Sequence, residues 1–431
     1  MIKKIIKILV LILILFLLFI SYLSFFGVET SKFNSIIKDE IRKQNSEIDI
    51  SLNKVKLYLD VKKILLKIEA RDTKLILNGQ NSLKLSKITT NISIQSYFQN
   101  KFAIKNLSIK SKNNKISDYI RFYRTNNNTL KIILFNQVFK SGMAQINVDL
   151  NFDKSGKIKS NYIINGKILN TELRIPNKKN IKELNFNFSI RNNDYKFEKI
   201  LFIFKKIKFN SDFLNIKKTN DKFFVKGNLK NKKNKINNDL IFLIFNDNLE
   251  NIDFSNTKFD LISEFTFDLS KKLKIRNLKV DSRLNLDELN FNNDLYAVKN
   301  YIKKYNNFVK LKENKLHIKY SNQKILIDGS SEFYIEDNFK NLIKFQIEKS
   351  KKNTKFKTFL NLENLDIKAE DISYNKLKKE NAILQISGFK NEKKLFFRNI
   401  SYKENKNIIE INNLEINNNK ICILSLPLLL G

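Results

Sequence analysis

The chain has 431 residues, of which 80 are Lys or Arg and 43 are Asp or Glu, so its formal net charge is +37. A single cysteine excludes an internal disulfide framework, and a single histidine excludes a multi-His metal site. Hydrophobic residues make up 42% and include 36 Phe, which excludes a mainly disordered chain.

The positive charge is dispersed over single residues and short runs. A strongly basic chain raises nucleic acid or an anionic membrane surface as a partner. However, Lys, Asn and Ile dominate together, which is typical of AT-rich codon usage, and no basic arm, zinc spacing or Gly-rich RNA-binding signature occurs. We therefore predict no nucleic-acid partner and assign the remaining effect of the charge to anionic lipid headgroups.

The N-terminus predicts a membrane anchor over residues 1–28. An uncharged apolar run from Ile8 to Val28 follows Lys3, Lys4 and Lys7, and as a helix it is long enough to cross a bilayer. A cleaved signal peptide is the alternative, but the run exceeds the usual apolar length of such peptides and no small-x-small cleavage site follows it. With the anchor retained, the basic N-terminus stays in the cytoplasm and the body is exported.

The body, residues 29–431, predicts mainly β structure. Alternation of apolar and polar residues marks strands such as 146–152 and 184–190, and clusters of Asn, Lys, Asp and Ser separate the strands. Helical spacing interrupts this pattern near 33–43, 116–123 and 293–308. At about 14 residues per strand and turn, the body holds on the order of 25 strands, each with one apolar and one polar face.

The apolar face of such a sheet must be covered, because water does not tolerate large apolar patches. Three arrangements achieve this: a sandwich of two sheets, a closed barrel, or a sheet that curls into a groove. Few helices are available as a cover. We predict an elongated, curled antiparallel sheet whose groove is apolar, the arrangement that acyl chains fill naturally.

The chain resembles the AsmA-like family, bacterial relatives of the chorein-type bridge-like lipid-transfer proteins. The resemblance rests on the anchor, the helix near 33–41, and the strand series 47–60, 65–77 and 82–94, with a second helix-to-strand stretch at 301–333. It implies a β groove anchored in the bacterial inner membrane, single-pass, with its body in the periplasm. Phospholipids are then the cargo, and an outer-membrane or periplasmic protein is a candidate docking partner.

The sequence therefore favours a lipid-transfer protein that shields acyl chains between the inner and outer membranes. The alternative is a scaffold that assists outer-membrane assembly without carrying lipid, and an outer-membrane barrel is a weaker third reading. The alternating pattern selects these residues for the groove lining: Ile146, Val148, Leu150, Phe152, Leu184, Phe186, Phe188 and Ile190. The same residues would instead pack together if the body were an ordinary sandwich.

The sequence contains no pattern that predicts catalysis. His317 lies in an alternating segment that places it on the polar face of a strand, and the nine glycines show no GxGxxG or P-loop spacing. We expect the glycines to serve turns and bulges. We predict no enzyme activity, no metal and no cofactor.

Overall fold

The computed structural model describes residues 2–429 except for 33, 45, 78, 80, 100, 127–137, 175–179, 220, 237–251, 255, 273, 293–295, 303–304, 306, 336–338, 371–372, 393, 418–419 and 426–427. Strands dominate the described residues, and the paired strands run antiparallel. The prediction of a mainly β, antiparallel fold with a few short helices is confirmed. The chain divides into two compact units, Met1–Ile203 and Phe204–Gly431, and the predicted division into an anchor and one body stays a prediction.

Five helices lie in the described part of the chain: α1 Ile2–Phe25, α2 Asn34–Gln44, α3 Ile94–Phe98, α4 Ile116–Asn126 and α5 Tyr296–Tyr301. Among them, α1 is long and apolar enough to cross a membrane, over Ile6–Phe25. Helices α2, α4 and α5 overlap the three predicted helical interruptions, although Phe33 and residues 293–295, 303–304 and 306 lie outside the described residues.

The first unit contains eleven strands among its described residues: β1 Val28–Thr30, β2 Ile48–Ser51, β3 Val55–Asp60, β4 Leu65–Leu77, β5 Asn81–Ser93, β6 Ile104–Ser111, β7 Asn114–Lys115, β8 Phe139–Asn151, β9 Ile163–Leu173, β10 Ile181–Arg191 and β11 Asp194–Phe204. Their pairing follows the order β1-β3-β4-β5-β6-β8-β9-β10. Strand β2 pairs with the end of β4, and β7 pairs with residues near the start of β8.

The second unit contains the remaining described strands: β12 Ile207–Lys218, β13 Lys222–Lys235, β14 Ile252–Asp253, β15 Lys258–Ser270, β16 Ile275–Asn292, β17 Phe308–Ser321, β18 Lys324–Tyr334, β19 Asn341–Lys349, β20 Thr354–Asn361, β21 Ile367–Ala369, β22 Tyr374–Lys376, β23 Ala382–Lys390, β24 Lys394–Glu404, β25 Asn407–Asn417, β26 Lys420–Ser425 and β27 Leu428–Leu429. Pairing follows β12-β13-β15-β16-β17-β18-β19-β20-β23-β24-β25-β26. Strands β21 and β22 form a separate hairpin.

Bulges interrupt the register of several long strands. Asn170, Glu183, Lys233 and Glu313 each have a positive φ and lie where the pairing shifts by one residue. Polar side chains hold some of these bulges in place; for example, the Asp260 carboxylate accepts a hydrogen bond from the Lys233 N–H at 2.6 Å. A bulge bends its strand and increases the local twist, so these positions give the sheets local curvature.

Candidate functional site

The first unit carries one continuous apolar face. Opposite residues in an antiparallel pair share a face, so the register defines its rows. One row joins Ile88, Ile109, Val148, Ile164 and Ile190 across five consecutive strands of the sheet. The neighbouring row joins Leu57, Ile68, Thr90, Leu107 and Leu150.

The predicted lining residues of β8 and β10 meet through β9, a strand that the alternation did not predict. Ile146 pairs with Gly166, which pairs in turn with Phe188. Val148 and Ile190 likewise both pair with Ile164. The signal for β9 was present as apolar residues at positions 164 and 168, but Gly166 between them interrupted the pattern.

The other four predicted lining residues have different surroundings. Leu150 lies beside Leu107 on the same face, and Phe186 pairs with Ile168. Leu184 is buried, with only 8% of its surface exposed. Phe152 follows the end of β8 and contacts the ring of Phe102, with 5.6 Å between centroids. The set therefore divides into a central patch and two peripheral positions.

The second unit carries an apolar face of its own. A single row crosses nine strands and comprises Leu261, Leu284, Leu316, Gly329, Phe345, Thr358, Ile386, Ile400 and Ile411. All nine residues are half-buried. Side chains in the core between two packed sheets are mostly fully buried, so this row has the exposure of a sheet face without a second layer.

The exposure of the first unit leads to the same conclusion. Most residues of the central rows in the first unit are also half-buried. An ordinary sandwich core, the alternative explanation of the alternating pattern, is therefore not favoured for the described strands.

Segments outside the long strands cover the border of each apolar face. In the first unit, Ile116 and Ile120 of α4 form a buried cluster with Ala144, against which Ile146 and Ile168 pack. In the second unit, Leu362 and Leu365 pack in a cluster with Phe333 and Ala382, joined by the partly buried Ile302 that follows α5. These segments seal one margin of each face and leave the central rows accessible.

Four glycines lie inside strands, each beneath a phenylalanine ring from the paired strand. The cross-strand pairs are Gly166–Phe188, Gly227–Phe265, Gly329–Phe345 and Gly388–Phe356. A Cβ at Gly329 would lie 2.2 Å from Cζ of Phe345, so the ring occupies the space that a side chain would need. The expectation that glycines serve turns and bulges holds for Gly79 and Gly156, and also for Gly388, where the pairing of β23 with β24 shifts. It is wrong for Gly166, Gly227 and Gly329, whose absent side chains admit the rings.

The opposite face of the second unit is polar. Arg283, His317, Asp328, Gln346 and Lys357 form one row across five strands, alongside an open cavity of about 720 Å³. The predicted position of His317 on a polar face is confirmed. Its Nε2 lies 2.8 Å from the Asp281 carboxylate, a partner that the sequence did not predict. Charged and polar residues of this face line much of the cavity, and Leu316, Gly329 and Phe345 of the apolar row also border it.

No protein-family model, curated protein or solved structure matches the chain. The functional interpretation therefore rests on the two apolar faces, their borders and the N-terminal helix.

Proposed function

We propose that this protein transfers phospholipids along its apolar sheet faces. It would act from the bacterial inner membrane, held there by α1 as a single-pass anchor, with its body in the periplasm. The observation that carries the proposal is the row of nine half-buried residues from Leu261 to Ile411, together with the matching rows of the first unit. The resemblance to the AsmA-like family points the same way.

Acyl chains are the ligands that such a face favours. Keeping one CH₂ group out of water is worth about 0.8 kcal/mol, so a lipid chain gains most of its stabilisation from apolar contact alone. Each atomic contact contributes only about 0.1–0.2 kcal/mol and has no required direction. A chain on this face can therefore move past successive rows without breaking a strong bond, while its headgroup stays in water.

The test measures lipid bound to the purified full-length protein. The chain is extracted in mild detergent, and phospholipid per protein is determined by mass spectrometry. Val148→Asp and Phe188→Asp place a carboxylate on the central patch of the first unit and should reduce bound lipid several-fold. Asn187→Asp is the matched control, because Asn187 lies next to Phe188 in β10 but is exposed on the other face.

Circular dichroism establishes that each variant retains its β structure. Lipid lost from the two apolar-face variants and kept by Asn187→Asp supports the proposal. A folded wild-type protein without bound lipid, or equal lipid in all three variants, would contradict it and favour the non-conducting envelope scaffold.

A further inference from the structure

Three connections of the first unit lie together at one end of its strands. They are residues 61–64 between β3 and β4, 94–103 between β5 and β6, and 152–162 between β8 and β9. The register brings them together, because Leu65 pairs with both Asp60 and Ser93, and Asn106 pairs with Asn151. We call these three connections the docking turns.

The docking turns concentrate exposed apolar side chains. Between residues 31 and 203, the structure describes eight large apolar residues as exposed, and six lie in these turns: Val61, Ile64, Tyr97, Phe98, Phe102 and Ile158. Phe98 is 80% exposed and Ile64 is 60% exposed. Turns that face only water carry polar residues, so this concentration marks an interaction surface.

The same turns are basic. They contain six exposed lysines, Lys62, Lys63, Lys101, Lys154, Lys157 and Lys159, against one acidic residue, Asp153. The Asp153 carboxylate already accepts hydrogen bonds from the backbone N–H groups of Ser155 and Lys157. Exposed aromatic and aliphatic side chains mixed with lysines match the boundary between the headgroups and acyl chains of an anionic bilayer.

The anchor helix joins the sheet at this same end. Only Phe26 and Gly27 separate α1 from β1, and β1 pairs with β3 so that Val28 lies opposite Leu57. Gly27 has φ +66°, and a Cβ there would lie 2.6 Å from the Leu57 carbonyl oxygen, so the joint is tightly packed. The chain preceding Val28 continues towards Asp60, which places the end of the apolar helix beside the first docking turn.

From these observations we propose that the docking turns insert into the headgroup region of the bilayer that α1 spans, with an anionic phospholipid surface as their partner. Interfacial segments bury their apolar side chains roughly 5–10 Å into a bilayer, and we expect the exposed side chains of Phe98 and Ile64 to lie at that depth. The apolar face of the first unit then opens directly at the membrane. Docking itself does not require that lipid moves along that face.

The absence of tryptophan from the chain provides a clean reporter. Phe98→Trp and Ile64→Trp each place one tryptophan in a docking turn of the full chain. Tyr123→Trp is the matched control, because Tyr123 is an aromatic residue that is 61% exposed in α4. Helix α4 directly follows β7, and Lys115 of β7 pairs with Met143. Met143 precedes Asn151 by eight residues, so it lies about 26 Å along β8 from the docking end.

Each variant is reconstituted in phosphatidylglycerol-containing vesicles, with and without brominated acyl chains, and vesicle-bound protein is collected by flotation. The tryptophans at 98 and 64 should emit at shorter wavelength and lose roughly half or more of their intensity to bromine, since they lie in the interface. The tryptophan at 123 should keep its intensity. Unquenched emission at both docking positions would overturn the proposal and indicate a protein partner or a free surface. Equal quenching at all three positions would also overturn it, because the bromine would then lie along the whole body.

Discussion

The Gly329–Phe345 pair provides a test of how the apolar face is built. Gly329→Ala adds a Cβ that would lie 2.2 Å from Cζ of Phe345, whereas ordinary contact begins at 3.4 Å. The ring must therefore move by about 1.2 Å, the difference between those two distances. Overpacking of this kind costs about 1–3 kcal/mol, and the reduced backbone freedom of alanine in a strand offsets about 0.5–1 kcal/mol of that cost.

The sign of the effect should reverse when the ring is removed. In a Phe345→Val background, the space above Gly329 is open, so Gly329→Ala should be neutral or stabilise the protein by up to about 1 kcal/mol. The two single variants and the double variant form a cycle, with the free energy of unfolding measured from urea midpoints by far-ultraviolet circular dichroism. An equal cost of Gly329→Ala in both backgrounds would show that the ring does not occupy the glycine site.

Two further predictions concern charged side chains. Burial of the Glu69 carboxyl opposes its ionisation, but hydrogen bonds from Lys87 and Arg71 outweigh this effect and hold its pKa below the ordinary value of 4.5. Because the folded-state pKa is depressed, this stabilisation is fully present above the unfolded pKa and is lost as pH falls through the folded pKa. As pH falls below 4.5, the urea midpoint of the wild type should therefore drop more steeply than that of Glu69→Gln. Parallel curves for the two proteins would contradict this stabilising role of the Glu69 carboxylate. The Lys376 ammonium is fully buried and donates to the carbonyl oxygens of Glu363, Leu365 and Leu377 at 2.9–3.1 Å. Lys376→Met leaves these acceptors without their donor and should cost about 3 kcal/mol, seen as faster hydrogen exchange in the β21–β22 hairpin. Lys368→Met in the same hairpin removes an exposed ion pair with Glu370 and should change exchange little.

Residues 146–152 and 184–190 show which structural features a local sequence pattern can predict. Their alternation predicted two strands with the correct apolar positions, because side chains on successive strand residues point to opposite faces. It did not reveal that β9 lies between them, nor that Leu184 is more buried than its neighbours. Pairing partners depend on the register of distant segments, which alternation within one strand does not encode.

For the polar residues, too, the sequence predicted the face of a strand but did not predict the contact partners. The position of His317 on a polar face followed from its alternating segment, whereas its contact with Asp281 depends on the pairing of β16 with β17. Lys376 resembles every other lysine in a lysine-rich chain. Its burial follows from the packing of the hairpin beneath Leu365, which brings three carbonyl oxygens to one ammonium group.

The sequence by itself determined the apolar N-terminal helix, the mainly β body and the apolar side of the strands it predicted, because these depend on composition and short periodicities. Tertiary structure decided which strands are neighbours, which glycines lie under phenylalanine rings, and which connections meet at the end of the sheet beside α1. The docking turns are far apart in sequence, and none is distinctive when read alone. Only antiparallel pairing across β3, β4, β5, β6 and β8 brings their apolar and basic side chains to one end, beside the helix that can cross a membrane.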